Sequence, residues 1–564
     1  MIANSRDDPF YYLSNFQAVL SWIDARYADL LSPEERDFVA TFPTLPQAAR
    51  ALLVRMVMRK GTLFRASRLR YAEIGDCRAA TRPLVELGWL VADPELDLPA
   101  LFGLLTKAEV TATFRTWLPQ AGLRKAELLD ALQATFVETR PFSRWCQASD
   151  DDVYALPAMA LYDRLRLMFF GNLHQDWSEF VLADLGVYRY ESVDFSSDSR
   201  AFRCRDDIDT YLHLHACRER FEAGEAMETL LSDIPGPLEA NSWLESRRAK
   251  LLYRIAQACE RSADLHRALH LYSQCAYPGA RARRLRVLER LERYEAALEL
   301  ARAARQAPES EAESQQIERL LPRLHRRLGL PRPQREPATE VERLELTLDR
   351  TTYPGSVEQA VRVHLETQDA PVHYVENTLI TALFGLLCWE AIFAPLPGAF
   401  FHPFHSGPAD MLQPDFHRRR AGLFETCLAQ LESAAYKDTI RRTYHAKQGI
   451  VSPFVHWGAL DERLLEQALD CLPARHLRLW FERLLEDIRA HRAGMPDLIQ
   501  FWPDRDEAAG RYRMIEVKGP GDRLQDNQRR WLAFCARHGM PVAVCYVQWQ
   551  GAEVTAESGM IQGE

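Results

Sequence analysis

Along most of this chain apolar residues recur every three to four positions, the spacing of helices with one buried face. The first ~45 residues read as helices with short loops, and the same spacing continues over 46–97. Over 98–136 it predicts two short amphipathic helices around "LPQAGLRKAEL". The first carries Leu105, Val110, Phe114 and Leu118, the second Leu128, Leu129 and Leu132. Within 150–240, "FVLADLGVYRYESV" has the β-branched and aromatic content of a strand. From 241 to 306 the pattern is helical throughout, and "DLHRALHLYSQC" and "RYEAALELARAA" share an Ala–Leu–x–Leu core. "APESEAESQQ" and "PRPQREPATEVER" have linker composition, which sets the last domain boundary near 340. Beyond it the period changes. "LIQFW" (498–502) and "RYRMIEVK" (511–518) are short apolar runs separated by "PDRDEAAG", as in a hairpin. "RLQDNQRRWLAFCARH" predicts a helix with Leu524, Trp531, Leu532 and Cys535 inward, and "PVAVCYV" a buried strand.

A chain of 564 residues is too long for one core. Its 47% apolar and 26% charged content is that of a folded protein. The N-terminus lacks a basic segment followed by an apolar one, so no secretory signal is expected. The longest apolar stretch, "LITALFGLLCWEAIFAPLPGAFF", is interrupted by Glu390, Pro395 and Pro397 and reads as a buried helix and loop, not a membrane span. Eleven scattered cysteines, without a CxxC pair, argue for a reducing compartment and against zinc.

The formal net charge is −9, so overall charge does not point to nucleic acid. Four runs are nevertheless basic: 55–71, 281–293, 322–335 and 417–420. Arginine on helices is most often solvated or ion-paired, so each run alone carries little. Arg124 and Lys125, at the start of the second helix of the 98–136 pair, could grip phosphates together with free backbone N–H groups. The spacing of that pair resembles a SAP-type DNA-binding motif.

The densest chemistry lies in "MPDLIQFWPDRDEAAGRYRMIEVK". In the expected hairpin Asp497 begins one strand, and Glu516 and Lys518 end the next on one side. Two carboxylates and a lysine at a sheet end suit metal-dependent phosphodiester hydrolysis. Their hard oxygens fit Mg²⁺ or Mn²⁺, the Val517 carbonyl is a further ligand, and Lys518 can hold the attacking water.

PD…(D/E)xK is the signature of the PD-(D/E)xK nuclease superfamily, and "EVKGPGDRLQDNQRRWL" resembles its VRR-NUC branch. There a helix follows the catalytic strand, and Gln528 takes a supporting place facing the site or the substrate backbone. The superfamily adds an acidic residue upstream. Glu376 is preferred, placed on the apolar face of a helix that includes Leu379, Ile380 and Leu383. Glu390 would lie roughly 21 Å further along that helix, so both could not reach one metal. "VENTLITALFGLLCWEAIF", the basic stretch 55–71, the SAP-like pair and a TPR-like region follow the order of the Fanconi-associated nuclease family.

That resemblance implies a mainly helical, multidomain chain. It would have an N-terminal helical DNA-binding domain (1–97), a SAP-like helix–turn–helix (98–150), a TPR-like domain (151–340) and an α/β VRR-NUC nuclease domain with a small mixed sheet (341–564). It implies a structure-specific nuclease that cuts 5′ flaps near the branch, degrades 5′→3′ and serves interstrand crosslink repair, using Mg²⁺ or Mn²⁺ with two ions per site. Metal ligands would be Glu376, Asp497, Glu516 and Val517, and catalysis would rest on Glu376, Asp497, Glu516, Lys518 and Gln528. Arg59, Lys60, Arg65, Arg68, Arg124 and Lys125 are the candidates for the DNA surface. The partner is branched, flapped or nicked duplex DNA, bound by a monomer in the bacterial cytoplasm at the nucleoid, with a dimer on DNA left open. The eukaryotic members' ubiquitin-binding zinc finger has no counterpart, which puts recruitment by ubiquitinated partners in doubt and suggests a bacterial short form. His405 falls near a glutamine of that family; a loop histidine without catalytic part is the plainer reading. A non-catalytic DNA scaffold and a junction-resolving nuclease are the alternatives.

Overall fold

The computed structural model describes residues 8–117, 123–175, 177, 188–333, 340–353 and 355–550. The chain divides into two compact units. One comprises residues 1–189 and 196–213, the other 190–195 and 214–564.

In the first unit, helices Tyr11–Tyr27, Pro33–Thr41, Gln47–Val57 and Cys77–Glu86 bury Phe16, Ile23, Phe38, Leu52 and Leu84. Local signals set their starts: Ser32 and Glu35 form a reciprocal cap, and Asp76 caps Cys77–Glu86. Glu35 is also fully buried and is satisfied by Arg164 and Arg205. The basic stretch 55–71 is not helical throughout. Leu63–Arg65 pairs antiparallel with Val153–Ala155, whose other edge takes Val91–Ala92. The expected helix pair over 98–136 is three short helices, Leu98–Leu104, Lys107–Thr113 and Lys125–Gln133, because Asp97 and Thr106 each cap a separate start. Leu118 and residues 119–122 of that expectation lie outside the described residues. So does most of "FVLADLGVYRYESV", whose described part, 188–193, forms no strand.

The second unit begins with a succession of helices, each packed on the next: Ser242–Arg261, Leu265–Ser273, Ala280–Arg290, Tyr294–Gln306 and Glu311–Arg327. The Ala–Leu cores recognised in the sequence supply buried Ala268 and Leu271, and Ala297 and Leu298. "APESEAESQQ" is only partly linker. Ser310 accepts the Glu313 N–H and starts the last of these helices at Glu311.

The remainder is built on a five-stranded sheet. Its elements are β1 (Glu342–Leu348), α1 (Val357–Leu365), β2 (Val372–Tyr374), α2 (Leu379–Leu387), α3 (Ala474–Glu486), β3 (Leu498–Phe501), β4 (Tyr512–Lys518), α4 (Asp526–Arg537) and β5 (Val542–Trp549). The strand order is β1-β5-β4-β3-β2. β5 runs parallel to β1 and β4, and β2, β3 and β4 are antiparallel. Alternation along the strands divides the core. Leu498, Ile515, Val517 and Cys545 pack with Val361 of α1. Ile499, Phe501, Met514 and Val544 pack with Phe384 of α2, Trp480 of α3 and Trp531 of α4.

Candidate active site

The hairpin register sets the site. Leu498 pairs with Ile515 and Ile499 with Met514. One step further, Asp497 stands opposite Glu516. Both share the face of Ile499 and Met514, because positions two apart on a strand point the same way. Lys518 continues that face. Two carboxylates opposed in this way repel each other.

Their surroundings are dry. Glu516 is 0% exposed, Asp497 7% and Lys518 8%. Val517 donates its backbone N–H to Asp497 Oδ2 at 2.8 Å. Lys518 Nζ lies 2.7 Å from Glu516 Oε1 and is its partner, while Oε2 is buried without one. Burial pushes the Asp497 carboxyl up to about 6; the Val517 N–H and Lys518 oppose this, and the charges of Glu376 and Glu358 add to it. Glu516 is pushed up to about 7, first by burial and then by Asp497 and Glu376, with Lys518 opposing.

Glu376 reaches the site by a different route from the one its sequence suggested. It is not on an apolar helix face. It sits exposed in the turn between β2 and α2, because Asn377 adopts a left-handed conformation (φ 54°) and the helix starts only at Leu379. The turn is tied to the loop before β3: Val375 N–H donates to the Asp497 carbonyl at 2.8 Å, and Met495 N–H to Asn377 Oδ1 at 3.0 Å. Tyr374 Oη donates to one carboxylate oxygen of Glu376, and Asn377 Nδ2 to the other at 3.2 Å. Glu390, its competitor, lies beyond a break in the helix and is exposed.

The sequence reading passed over Glu358, in the first turn of α1, whose charge acts on Asp497 and Tyr374. It also passed over Tyr374 and Asn377. Their signal was adjacency to Glu376 in "HYVEN", visible only once that glutamate is placed in a turn. Gln528 accepts the Gln525 N–H at 2.9 Å and caps the start of α4, which accounts for its half-buried position by a local role. His405 accepts from Phe401 N–H, packs on His402, and is pushed down to about 4 by burial.

The proposed DNA-surface residues divide. Arg65 is 8% exposed and paired with Asp151 and Glu109, so it belongs to the core of its unit and is not a free phosphate contact. Arg59, Lys60, Arg68 and Arg124 are exposed, and Lys125 is half-buried. Arg124 pairs with Glu127 of its own helix. Much of the basic run 281–293 is spent on carboxylates, with Arg283, Arg286 and Arg290 around buried Glu260 and Arg281 on Glu313. Arg419 and Arg420 of 417–420 close on buried Asp410.

The chemistry of Asp497 and Glu516 suits a hard divalent cation. Glu516 Oε2 is a buried acceptor without a partner, for which a metal is a natural one. Among the described residues no three His, Cys, Asp or Glu side chains form a ready metal cluster, and Glu376 is turned to Tyr374 and Asn377. A mixed sheet with Asp and Glu-x-Lys on adjacent strand ends, followed by a helix and a parallel strand, defines a PD-(D/E)xK-type nuclease domain. Comparison with known proteins agrees. The VRR-NUC domain matches residues 431–549, the FAN1 HTH domain 10–91 and the Fanconi anemia-associated nuclease SAP domain 95–145. A Fanconi-associated nuclease 1 homolog of Pseudomonas aeruginosa is 62% identical over 542 residues, 96% of each chain. The human Fanconi-associated nuclease 1 is 25% identical over 96% of this chain, which spans 63% of that protein's length. A crystal structure of paFAN1 bound to 2nt 5′ flap DNA with a gap superposes with TM-score 0.86, at 61% identity, over 97% of this chain and 100% of that one. The same protein bound to 1nt 5′ flap DNA with a gap gives 0.84, at 62% identity, over 96% and 99%. The chain belongs to the Fanconi-associated nuclease family.

Proposed function

We propose that this protein is a structure-specific nuclease that cuts 5′-flapped duplex DNA near the branch and degrades 5′→3′, in the interstrand crosslink repair that the family serves. The observation that carries the reading is the buried pair Asp497 and Glu516, with Glu516 Oε2 unpartnered and Lys518 at 2.7 Å from Oε1, on one face of adjacent strand ends. A relative bound to 5′ flap DNA in two structures supports the substrate.

Asp497, Glu516 and the Val517 carbonyl would hold Mg²⁺ or Mn²⁺, with Glu376 serving a second ion. The bound metal supplies Lewis acidity and a water acidic enough to attack at neutral pH. The chain's own residues do the rest. The Val517 N–H fixes the Asp497 carboxylate, leaving Oδ1 free as a ligand. Lys518 is the cation nearest Glu516. It is placed to hold the attacking water and to stabilise charge that develops on the phosphate. Gln528 supports the site indirectly, by fixing the start of α4.

Arg59, Lys60, Arg68, Arg124 and Lys125 would contact the DNA backbone, giving binding that is salt-dependent and indifferent to sequence. No helix among the described residues is long and apolar enough to cross a membrane. A monomer acting in the bacterial cytoplasm is the working form. The test is cleavage of labelled 5′-flap, 3′-flap and four-way-junction duplexes in Mn²⁺. Cuts near the 5′-flap branch are expected, with the other two cut poorly. Preference for the four-way junction would overturn the reading.

A further inference from the structure

We infer that Tyr374 is a two-part positioning residue: its ring stacks on the nucleobase flanking the scissile phosphate, and its hydroxyl holds the Glu376 carboxylate. The inference rests on the DNA-cleaving reading above.

Three large aromatic side chains, Trp117, Tyr188 and Tyr374, are about half exposed or more among the described residues. Of these, Tyr374 alone touches a carboxylate of the site, Glu376. It ends β2, the edge strand, one ladder step from Asp497. Among the described residues no further strand covers its ring, which is 51% exposed. A ring that exposed is free to stack on a partner brought to the site.

The electrostatics say what that is. Glu376 and Glu358 act on Asp497, and Asp497 and Glu376 on Glu516, with Lys518 as the cation among them, so this acidic cluster, with the metal it would hold, takes the scissile phosphate and offers no charge to the neighbouring base. A nucleobase can be gripped there without charge, through its π-face, and such stacking is indifferent to sequence. The hydroxyl has a separate task. Glu376 is exposed in a turn, and a solvated glutamate wanders among rotamers. Tyr374 Oη on one oxygen and Asn377 Nδ2 on the other hold it beside Asp497.

The two parts separate in Tyr374→Phe and Tyr374→Leu. 2-Aminopurine is placed on either side of the cut mapped with wild-type enzyme, in a 5′-flap bound to Asp497→Asn protein. With the native tyrosine or with Tyr374→Phe in that background, the fluorescence of one position should fall several-fold on binding; with Tyr374→Leu it should not. In the otherwise wild-type chain, Tyr374→Leu should raise KM for DNA about tenfold. Tyr374→Phe should leave that KM in place and weaken Mn²⁺ binding several-fold in calorimetric titration of the DNA-free protein. Because the ring is exposed, both variants should unfold at the wild-type temperature. Equal fluorescence with leucine and tyrosine overturns the stacking. Unchanged Mn²⁺ binding in Tyr374→Phe overturns the hydroxyl's role. A wild-type chain that cuts no flap overturns the functional reading itself, and this inference with it.

Discussion

Val517 donates its backbone N–H to Asp497 Oδ2 at 2.8 Å, so the carboxylate that begins β3 is clamped by the residue between Glu516 and Lys518. Asp497 is thus a brace between two strands and, in the function proposed above, a metal ligand as well. The two roles come apart in Asp497→Asn, because an amide oxygen still accepts from Val517. Cutting should fall about a thousandfold or more, while the midpoint of thermal unfolding stays within a few degrees of wild type. Asp497→Ala should lose both. Thermal unfolding and flap cleavage on the same preparations distinguish them.

The raised carboxyls give the metal-free protein a pH dependence opposite in sign to that of an ion-paired acid. Unfolded, both groups titrate near the ordinary value of about 4. Folded, Asp497 is pushed up to about 6 and Glu516 to about 7. Between these limits the folded state binds more protons, so stability should fall as pH rises from about 4 to about 7. A divalent cation offsets the buried charge, so the Mn²⁺-induced rise in unfolding temperature should be small near about pH 5 and large near about pH 8. Glu516→Gln should flatten the metal-free slope. Thermal scans with and without Mn²⁺ across that range check both.

Lys518 sits 2.7 Å from Glu516 Oε1 and offsets part of its burial cost. Lys518→Ala should therefore slow cutting about 10²–10³-fold by removing charge stabilisation. Mn²⁺ affinity should hold or rise, since the ammonium competes with the cation for Glu516. Single-turnover rates at saturating metal, with calorimetric Mn²⁺ titration, separate the two effects.

Gly494 is where α4 meets the loop that delivers Asp497. Its φ is +91°, and an added Cβ would lie 2.8 Å from the Asn527 side-chain nitrogen and 2.9 Å from its backbone carbonyl carbon. Backbone cannot swing aside as a flexible side chain can. Gly494→Ala should cost about 2 kcal/mol or more and should lower cutting as Asp497 is displaced. Denaturant unfolding measures the first, and flap cleavage the second.

Arg483, 1% exposed, is packed against Trp531 and Phe534 and holds Glu311 from the last of the preceding helices. His491 and Arg483 together draw the Glu311 carboxyl down to about 2. Arg483→Met should leave that carboxylate to His491 alone and cost about 1–2 kcal/mol. The companion change Glu311→Gln in the same chain should recover part of the loss. A double-mutant cycle by denaturant unfolding reads both.

The hairpin, the following helix and the last strand were legible because short apolar runs at Leu498 and Tyr512 flank a turn signal and helical spacing returns at Asp526. Asp497, Glu516 and Lys518 came with that register. Glu376 was set on the wrong element, since nothing in "VHYVENTLI" announces that Asn377 turns left-handed and delays the helix to Leu379. Arg65 misled in the opposite sense. Its neighbours are basic, and its carboxylates, Asp151 and Glu109, are distant in sequence and meet it only through the pairing of Leu63–Arg65 with Val153–Ala155. Gln528 was placed by analogy, and its hydrogen bond is a local cap. Short-range pattern thus identified the acids of one hairpin, while partners joined by tertiary contact stayed hidden.

The most direct test of the central claim is cleavage of a labelled 5′-flap duplex by wild type and Asp497→Asn, with Mn²⁺, Mg²⁺ or EDTA, alongside binding of the same DNA. Cuts near the branch in either metal, none in EDTA, and loss of cutting with binding retained in Asp497→Asn are expected. Tight binding without cutting in any metal, or cutting by Asp497→Asn at the wild-type rate, would contradict the assignment of this site.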